Sequence, residues 1–266
     1  MSSEESSPKN VRSSTVERRK FILTELNLAG QVYVNKLSEM LDVSEVTIRN
    51  DLEQLEKKKM LIRARGGAMK IENAVGIDHH ISEKDKLHSA EKARIGKVAA
   101  MLINDYETVI IDSGTTTMEI ARNLSHLSEI TVITNALNIA GQLMQHPGFH
   151  LIIPGGYLRK SSLSLMGPLA EKNFQNLYVD KVFLGVDGFD TRHGIYTPNI
   201  DEAALNEIMI RNSKEVILVS DSSKFFRKSL AYICGIDRLH KVVTDSGIPD
   251  DDRKRLEDAG IEVIIA

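Results

Sequence analysis

The sequence predicts an α/β protein, an N-terminal winged helix-turn-helix followed by a C-terminal, mainly parallel α/β domain. Up to about residue 70, apolar residues recur at helical spacing in three segments, and a basic Gly-Gly hairpin follows the third. From residue 83 onward, seven short Val/Ile/Leu-rich runs alternate with helical stretches, as strands do when helices cover both faces of a parallel sheet. Five of these runs end in small polar residues, at the strand ends where open α/β sheets bind ligands.

A chain of 266 residues accommodates one small and one medium domain. With 42% hydrophobic and 27% charged residues its composition is that of an ordinary soluble protein. No apolar run approaches the ~20 residues of a membrane span, and no charged segment followed by an apolar one opens the chain. A cytoplasmic protein with no membrane partner is expected. The single cysteine, Cys234, excludes an internal disulfide and a thiolate metal cluster, and its apolar setting "AYICGI" suits a buried, inert thiol. Residues 1–70 hold 13 Lys and Arg against 10 Asp and Glu, whereas residues 71–266 hold 21 against 27, so a polyanion belongs at the N-terminal end.

Residues 1–13 carry little that builds a core and are expected to be a disordered tail. Ser14 and Glu17 have the spacing of a capping box, and Phe21, Ile22, Leu26 and Leu28 make a helical stripe that stops at Gly30. "QVYV" is a short extended piece, and "NKLSEMLD" a second helix with Leu37, Met40 and Leu41 inward. Ser44 caps a third helix whose Ile48, Leu52 and Leu55 form the buried face. That leaves Glu45, Val46, Thr47, Arg49, Asn50 and Glu53 to face a groove. Arg donates twice to guanine, Asn pairs bidentately with adenine, and the Thr methyl meets the thymine methyl. A solvated bundle helix would also expose such residues, but "LIRARGGAMKI" then folds back as a wing on which Arg63 and Arg65 suit phosphate contact. Asp51, on the same helix, is expected in an interhelical ion pair with Arg18, because phosphates repel a carboxylate.

A DNA-binding domain over 14–71, a linker over 72–82 and an effector-binding domain over 83–266 are therefore expected, the last opening with one charged helix from Glu83. His79-His80 lacks further ligands at metal-binding spacing. Strands are placed at Val109–Ile111, Thr131–Thr134, His150–Ile153, Lys181–Gly185, Val216–Ser220, Lys241–Thr244 and Glu262–Ile265. The residues at their ends are Asp112, Ser113, Gly114, Thr115, Thr116 and Thr117, then Asn135, then Gly155 and Gly156 with Arg159, then Asp187 and Asp190, and finally Lys224 in "DSSK". Hydroxyls and N–H groups for a phosphate, Lys and Arg for its charge, and carboxylates and an amide for sugar hydroxyls make a sugar-phosphate pocket.

Arg18, Ile22, Leu26, Ser44 and the run Thr47-Ile48-Arg49-Asn50-Asp51-Leu52 resemble, position by position, the N-terminal signature of the DeoR family of bacterial repressors. The resemblance extends from about Ser14 to Ala266, and within the family "VTIRNDLEQLEK", "FLGVDGFD", "TPNIDEAALN" and "VSDSSKF" are most similar to repressors of N-acetylgalactosamine/galactosamine catabolic genes. It implies an effector domain resembling ribose-5-phosphate isomerase, with DSGTTT on the phosphate loop and "GVDGFD" in place of that enzyme's catalytic motif. Thr191 stands where the motif's last acid belongs, and "YTPNIDEAA" replaces its lysine and glycine-rich loop, so sensing is expected rather than turnover. The expected function is an operator-binding repressor of a sugar or amino-sugar operon, released by a phosphorylated sugar, with no catalytic residue, cofactor or metal. Homo-oligomerisation is expected, since repeated half-sites multiply the few base contacts of one helix-turn-helix. The alternatives are a sugar-phosphate isomerase or aldolase with a fused DNA-binding module, and an architectural DNA binder, which leaves the polar strand ends unexplained.

Overall fold

The computed structural model describes residues 15–29, 31–58, 60–64, 66–69 and 78–266. The chain forms two compact units, the second beginning at Asp78. The expected tail of residues 1–13, Ser14, Gly30, Arg65 and residues 72–77 of the expected linker lie outside the described residues.

In the first unit, α1 (Thr15–Ala29), β1 (Gln31–Tyr33), α2 (Val34–Leu41) and α3 (Glu45–Lys57) are followed by β2 (Ile62–Ala64) and β3 (Gly67–Met69). The helices meet around Ile22, Leu26, Leu37, Leu41, Ile48 and Leu52, all buried. Met40 departs from expectation and is 58% exposed. The inward stripe of α2 is Val34, Leu37 and Leu41, and at ~100° per residue Met40 falls to its flank. Asp42 ends α2 in the left-handed region (φ 50°), and Ser44 Oγ accepts the Thr47 N–H at 3.2 Å to start α3. The wing has three strands rather than two, because β1 pairs antiparallel with β3, which also pairs with β2. A Cβ on Gly67 would lie 2.0 Å from the Val32 carbonyl oxygen, so this close pairing requires glycine there.

The second unit is built on a seven-stranded, wholly parallel sheet. Two short helical pieces precede it, α4 (Ile81–Lys84) and α5 (Ser89–Ala100); the single charged helix expected from Glu83 is interrupted at His88, whose φ of 52° is incompatible with helix. The chain then runs β4 (Thr108–Ile111), α6 (Thr115–Arg122), β5 (Ile130–Ile133), α7 (Leu137–Leu143), β6 (Phe149–Ile152), β7 (Tyr157–Arg159), β8 (Ser164–Met166), α8 (Pro168–Phe174) and β9 (Val179–Leu184). It finishes with β10 (Gly188–Asp190), β11 (Gly194–Thr197), α9 (Ile200–Arg211), β12 (Ser213–Val219), β13 (Ala231–Cys234), β14 (Lys241–Thr244), α10 (Asp250–Asp258) and β15 (Glu262–Ile265).

Spatial order in the large sheet is β15-β14-β12-β9-β4-β5-β6. The chain winds outward from β4 through β5 to β6, returns to β9 on the other side of β4, and winds outward again. Strand order therefore reverses between β4 and β9, and a crevice opens at their carboxyl ends. Alternate strand residues enter separate cores: Val182, Leu184 and Leu218 on one face, Phe183, Ile217 and Val219 on the other, all buried. This is why the strands read as continuous apolar runs. Two further assemblies complete the unit, the β7-β8 hairpin and an antiparallel sheet β10-β11-β13.

Candidate functional site

On α3, Glu45, Val46, Arg49, Asn50 and Glu53 are exposed, and Thr47 is partly covered by its 2.9 Å hydrogen bond with Ser44 Oγ. Arg49 Nη2 pairs with Glu45 at 2.5 Å, one turn earlier. Asp51 points the other way: it is buried and accepts from Arg19 Nε at 2.8 Å and from Arg18, tying α3 to α1. Arg63 differs from the expected free phosphate ligand. Its Nε donates to the Gly67 carbonyl (3.2 Å) and its Nη1 to the Arg49 carbonyl (3.1 Å), so it braces the wing against α3, leaving fewer N–H groups for a phosphate.

The second candidate site is a cavity of about 50 Å³ at the carboxyl ends of β4 and β9. Six of the expected residues line it: Ser113, Gly114, Thr115, Thr116, Asp187 and Lys224. The first four form the β4–α6 turn, where the early N–H groups of a helix lack intrahelical acceptors. Lys224 ends a short 3₁₀ turn fixed by two carboxylates. Asp245 accepts from Ser222 N–H (2.7 Å) and Oγ (2.8 Å), and Asp221 from Ser223 N–H (3.1 Å).

The other expected residues stand around the cavity rather than on it. Asp112 lies beneath, buried, taking backbone N–H bonds from Ser113 and Gly185 and the Asn206 amide at 3.3 Å; it pins the β4 turn to the β9 turn. Burial, and then the charge of Glu202, push its carboxyl well above the ordinary range. Thr117 Oγ1 is turned back to the Gly114 carbonyl at 3.1 Å, and Asn135 is buried outside the lining. Gly155 and Gly156 serve the backbone: at Gly156 (φ 121°) a Cβ would lie 2.5 Å from the Met166 carbonyl oxygen. Arg159 sits behind, paired with Glu202 (3.0 Å), Asp78 (2.5 Å) and Ser162 Oγ (3.0 Å). Asp190 is engaged by His193 (2.8 Å) and Lys228 (3.5 Å), away from the cavity. Thr191 is buried against Asp252.

Sequence reasoning missed Ile81, Lys84, Lys92, Ser161, Ser162, Thr197 and Glu202, all on the cavity wall. Lys84 Nζ pairs with Asp187 Oδ1 at 2.7 Å, and Lys224 Nζ lies 4.0 Å from the same oxygen. Burial pushes the Asp187 carboxyl up, but Lys84 and Lys224 outweigh it and hold it below the ordinary range. Burial lowers Lys224 despite Asp187, and lowers Lys92, which is 4% exposed and donates to the Lys84 carbonyl at 2.5 Å. Glu202 is raised by burial, although Arg159 opposes that shift and Thr197 Oγ1 donates to it. Three lysines thus share a wall with two acids, hydroxyls and free helix N–H groups, an environment for a multiply charged anion bearing hydroxyls. Among the described residues, no group of three or more His, Cys, Asp or Glu is placed to hold a metal, and no helix is long and apolar enough to cross a membrane.

Residues 18–74 match the family described as DeoR-like helix-turn-helix domain, and residues 87–246 the DeoR C terminal sensor domain. An aga operon transcriptional repressor of Escherichia coli O157:H7 is 41% identical over 100% of this chain and 99% of its own length. The regulators YulB of Bacillus subtilis and GlpR of Haloferax volcanii are 36% and 32% identical, each over 93% of this chain and 95% and 96% of theirs. Among solved structures, a ribose 5-phosphate isomerase of Methanocaldococcus jannaschii aligns with 52% of this chain and 55% of its own at a TM-score of 0.38 and 18% identity. The sorbitol operon regulator SorC of Klebsiella pneumoniae aligns with 92% and 100% at 0.39 and 10%.

Proposed function

Because the chain belongs to the DeoR family of transcriptional regulators, we propose that α3 and the wing bind operator DNA as a repressor of a sugar or amino-sugar operon, and that a phosphorylated sugar binding at the β4/β9 crevice releases it. The observation that carries the effector reading is that Lys84, Lys92 and Lys224 line one cavity together with the β4–α6 turn at a helix N-terminus. Phosphate oxygens gain charge-assisted hydrogen bonds there, while Asp187 and Thr197 offer acceptors and a hydroxyl to the sugar. On the DNA side, the exposed Arg49, once it leaves its pair with Glu45, and the exposed Asn50 reach base edges, and Arg63 positions the wing that approaches the backbone. The chain works as a homo-oligomer, which sets the spacing of half-sites.

A purely regulatory role is favoured over isomerase turnover. Thr191 is spent on Asp252, and Asp187 is clamped by lysines instead of being poised to take a proton. The test is release of full-length protein from its operator by a panel of pentose, hexose and amino-hexose phosphates and their dephosphorylated forms. Phosphorylated sugars should release the wild type and neutral sugars should not, and Lys224→Ala should keep operator binding yet resist release. Release of Lys224→Ala at the wild-type concentration of sugar phosphate would show that Lys224 is structural and the phosphate lies elsewhere.

A further inference from the structure

The space in this cavity is small, about 50 Å³, so displacing a wall would give a sugar phosphate more room. One wall is thin. The four-residue α4 separates this cavity from a second one of about 190 Å³, lined by Ile81, Ser82, Asp85, Thr115, Met118, Arg122 and Asn138. Ile81 and Thr115 belong to both linings, so a displacement of Ile81 joins the two spaces.

The attachments of α4 are few and mostly polar. Ile81 N–H donates to the Ser161 carbonyl (2.7 Å), Asp78 just before it holds Arg159 (2.5 Å) and Ser161 Oγ (2.9 Å), and Lys92 Nζ holds the Lys84 carbonyl. On the cavity side the attachment is the Lys84–Asp187 ion pair. Asp187 Oδ1 is flanked by the ammonium groups of Lys84 and Lys224, the arrangement that a phosphate oxygen would adopt. A single carboxylate thus occupies the two cations that an incoming anion needs.

Building on the effector reading above, we propose that Lys84 is a ligand for the effector's anionic group, held by Asp187 while the site is empty, and that the effector takes Lys84 and Lys224 from Asp187, displacing α4 and joining the two cavities. Asp187, once released, turns its acceptors to the sugar. The displacement begins in the element of this unit that follows Ile77 in the chain, the point at which the DNA-binding unit is covalently attached.

The test titrates inorganic phosphate and galactosamine 6-phosphate into full-length wild type, Asp187→Asn, Lys84→Met and the double variant by calorimetry, with thermal melts confirming folding. Asp187→Asn should bind inorganic phosphate at least tenfold more tightly than wild type, since the carboxylate that pairs with both Lys84 and Lys224 is then gone. Lys84→Met should bind both probes at least tenfold more weakly, and in the double variant the gain from Asp187→Asn should largely vanish. Hydrogen exchange over residues 78–88 should change at least tenfold when wild type is saturated with galactosamine 6-phosphate. Phosphate affinity within twofold of wild type in Asp187→Asn, or an undiminished gain in the double variant, overturns the competition. If Asp187→Asn does not fold, Lys84→Met decides alone, and wild-type affinity in it refutes the assignment. If neither probe nor any other phosphate ester binds the wild type, the effector reading falls and this proposal with it. If esters release wild type and Lys84→Met from operator at equal concentration, only this proposal falls.

Discussion

Replacing Asp51 by alanine should destabilise the DNA-binding unit and leave the stability of the sensor unit unchanged. The Asp51 side chain is 3% exposed and holds the Nε atoms of Arg18 and Arg19, whose side chains are 13% and 25% exposed. Removing one partner of a fully buried pair costs about 3–5 kcal/mol, because the charge left behind is uncompensated. Two guanidinium groups are stranded here, but both reach water in part, so the penalty is discounted to roughly 2–4 kcal/mol. At roughly 0.05–0.15 kcal/mol per residue, a unit of about 60 residues has roughly 3–9 kcal/mol in total. The substitution therefore removes about a fifth or more of its stability, and most of it at the low end of that range. Scanning calorimetry of the full chain should show the transition of the first unit shifted down by about 10 °C or more, the sensor transition unmoved, and operator binding lost at temperatures where the first unit has melted. Asp51→Asn, which keeps an acceptor for one arginine, should fall between. If Asp51→Ala melts like wild type yet binds operator differently, Asp51 is a DNA contact and the ion-pair reasoning is refuted.

On the operator, Arg49→Ala should lose about 1–3 kcal/mol and relax preference at one base position, whereas Arg63→Ala should also lower the first unit's melting temperature, because its guanidinium ties the wing to α3; equal melting temperatures for the two variants would contradict the brace. Burial holds Asp112 well above its ordinary value, and burial raises Glu202 as well, so at these two sites the folded sensor binds protons more tightly than the unfolded chain. Their contribution favours folding most at pH below the ordinary carboxyl range and declines as pH rises toward the folded values. Asp112→Asn should therefore stabilise the sensor at pH 7 more than at pH 4, and melts giving the opposite order would show that Asp112 is stabilised as a charge. Burial pushes the Cys234 thiol up to about 12; a thiol reagent at pH 8 should leave native protein unmodified and label it only after denaturation, and rapid native labelling would show the β13 edge to be open.

The inner parallel strands were legible because burial on both faces leaves an uninterrupted apolar run, a signal contained in each strand alone, whereas the edge strands β6 and β15 are only partly covered. The β10-β11-β13 sheet left no such mark. Its strands are three or four residues long, and β13 joins β11 only after α9 and β12 intervene, so its pairing is a property of tertiary packing. The site divides the same way. The Ser113–Thr116 turn and Lys224 follow their strands directly and are found by looking at strand ends. Lys84 and Lys92 come from the segment before the first strand, and Glu202 and Thr197 from a segment legible only as a departure from the isomerase pattern. Their spacing carries no motif, since residues brought together from separate elements need no fixed separation in the chain. Arg159 and Asp190 have the residue types a pocket needs, but neighbouring charges already claim them, and a sequence does not display that competition.

That competition also decides what kind of molecule acts as effector. Moving a regulator from 1:99 to 99:1 between two states takes about 10⁴-fold differential affinity, about 5.5 kcal/mol. Hydrogen bonds to charged groups contribute about 1.5–3 kcal/mol each and neutral ones about 0.5–1.5. A neutral sugar would need four or more neutral bonds made in one state only, from a cavity whose Lys84 and Lys224 are already matched by Asp187. A phosphate dianion brings two charges against one carboxylate and so has a surplus after Asp187 is displaced. Inorganic phosphate has the same surplus, but it leaves the displaced carboxylate, 23% exposed, without a partner, and the desolvation of that charge offsets part of the gain. A sugar attached to the phosphate supplies hydroxyl or ammonium donors to Asp187 at the moment it loses its lysines. On the proposed exchange, selectivity for a phosphorylated sugar over either of its halves follows from one carboxylate having to change partners, without any separate device for recognising the sugar.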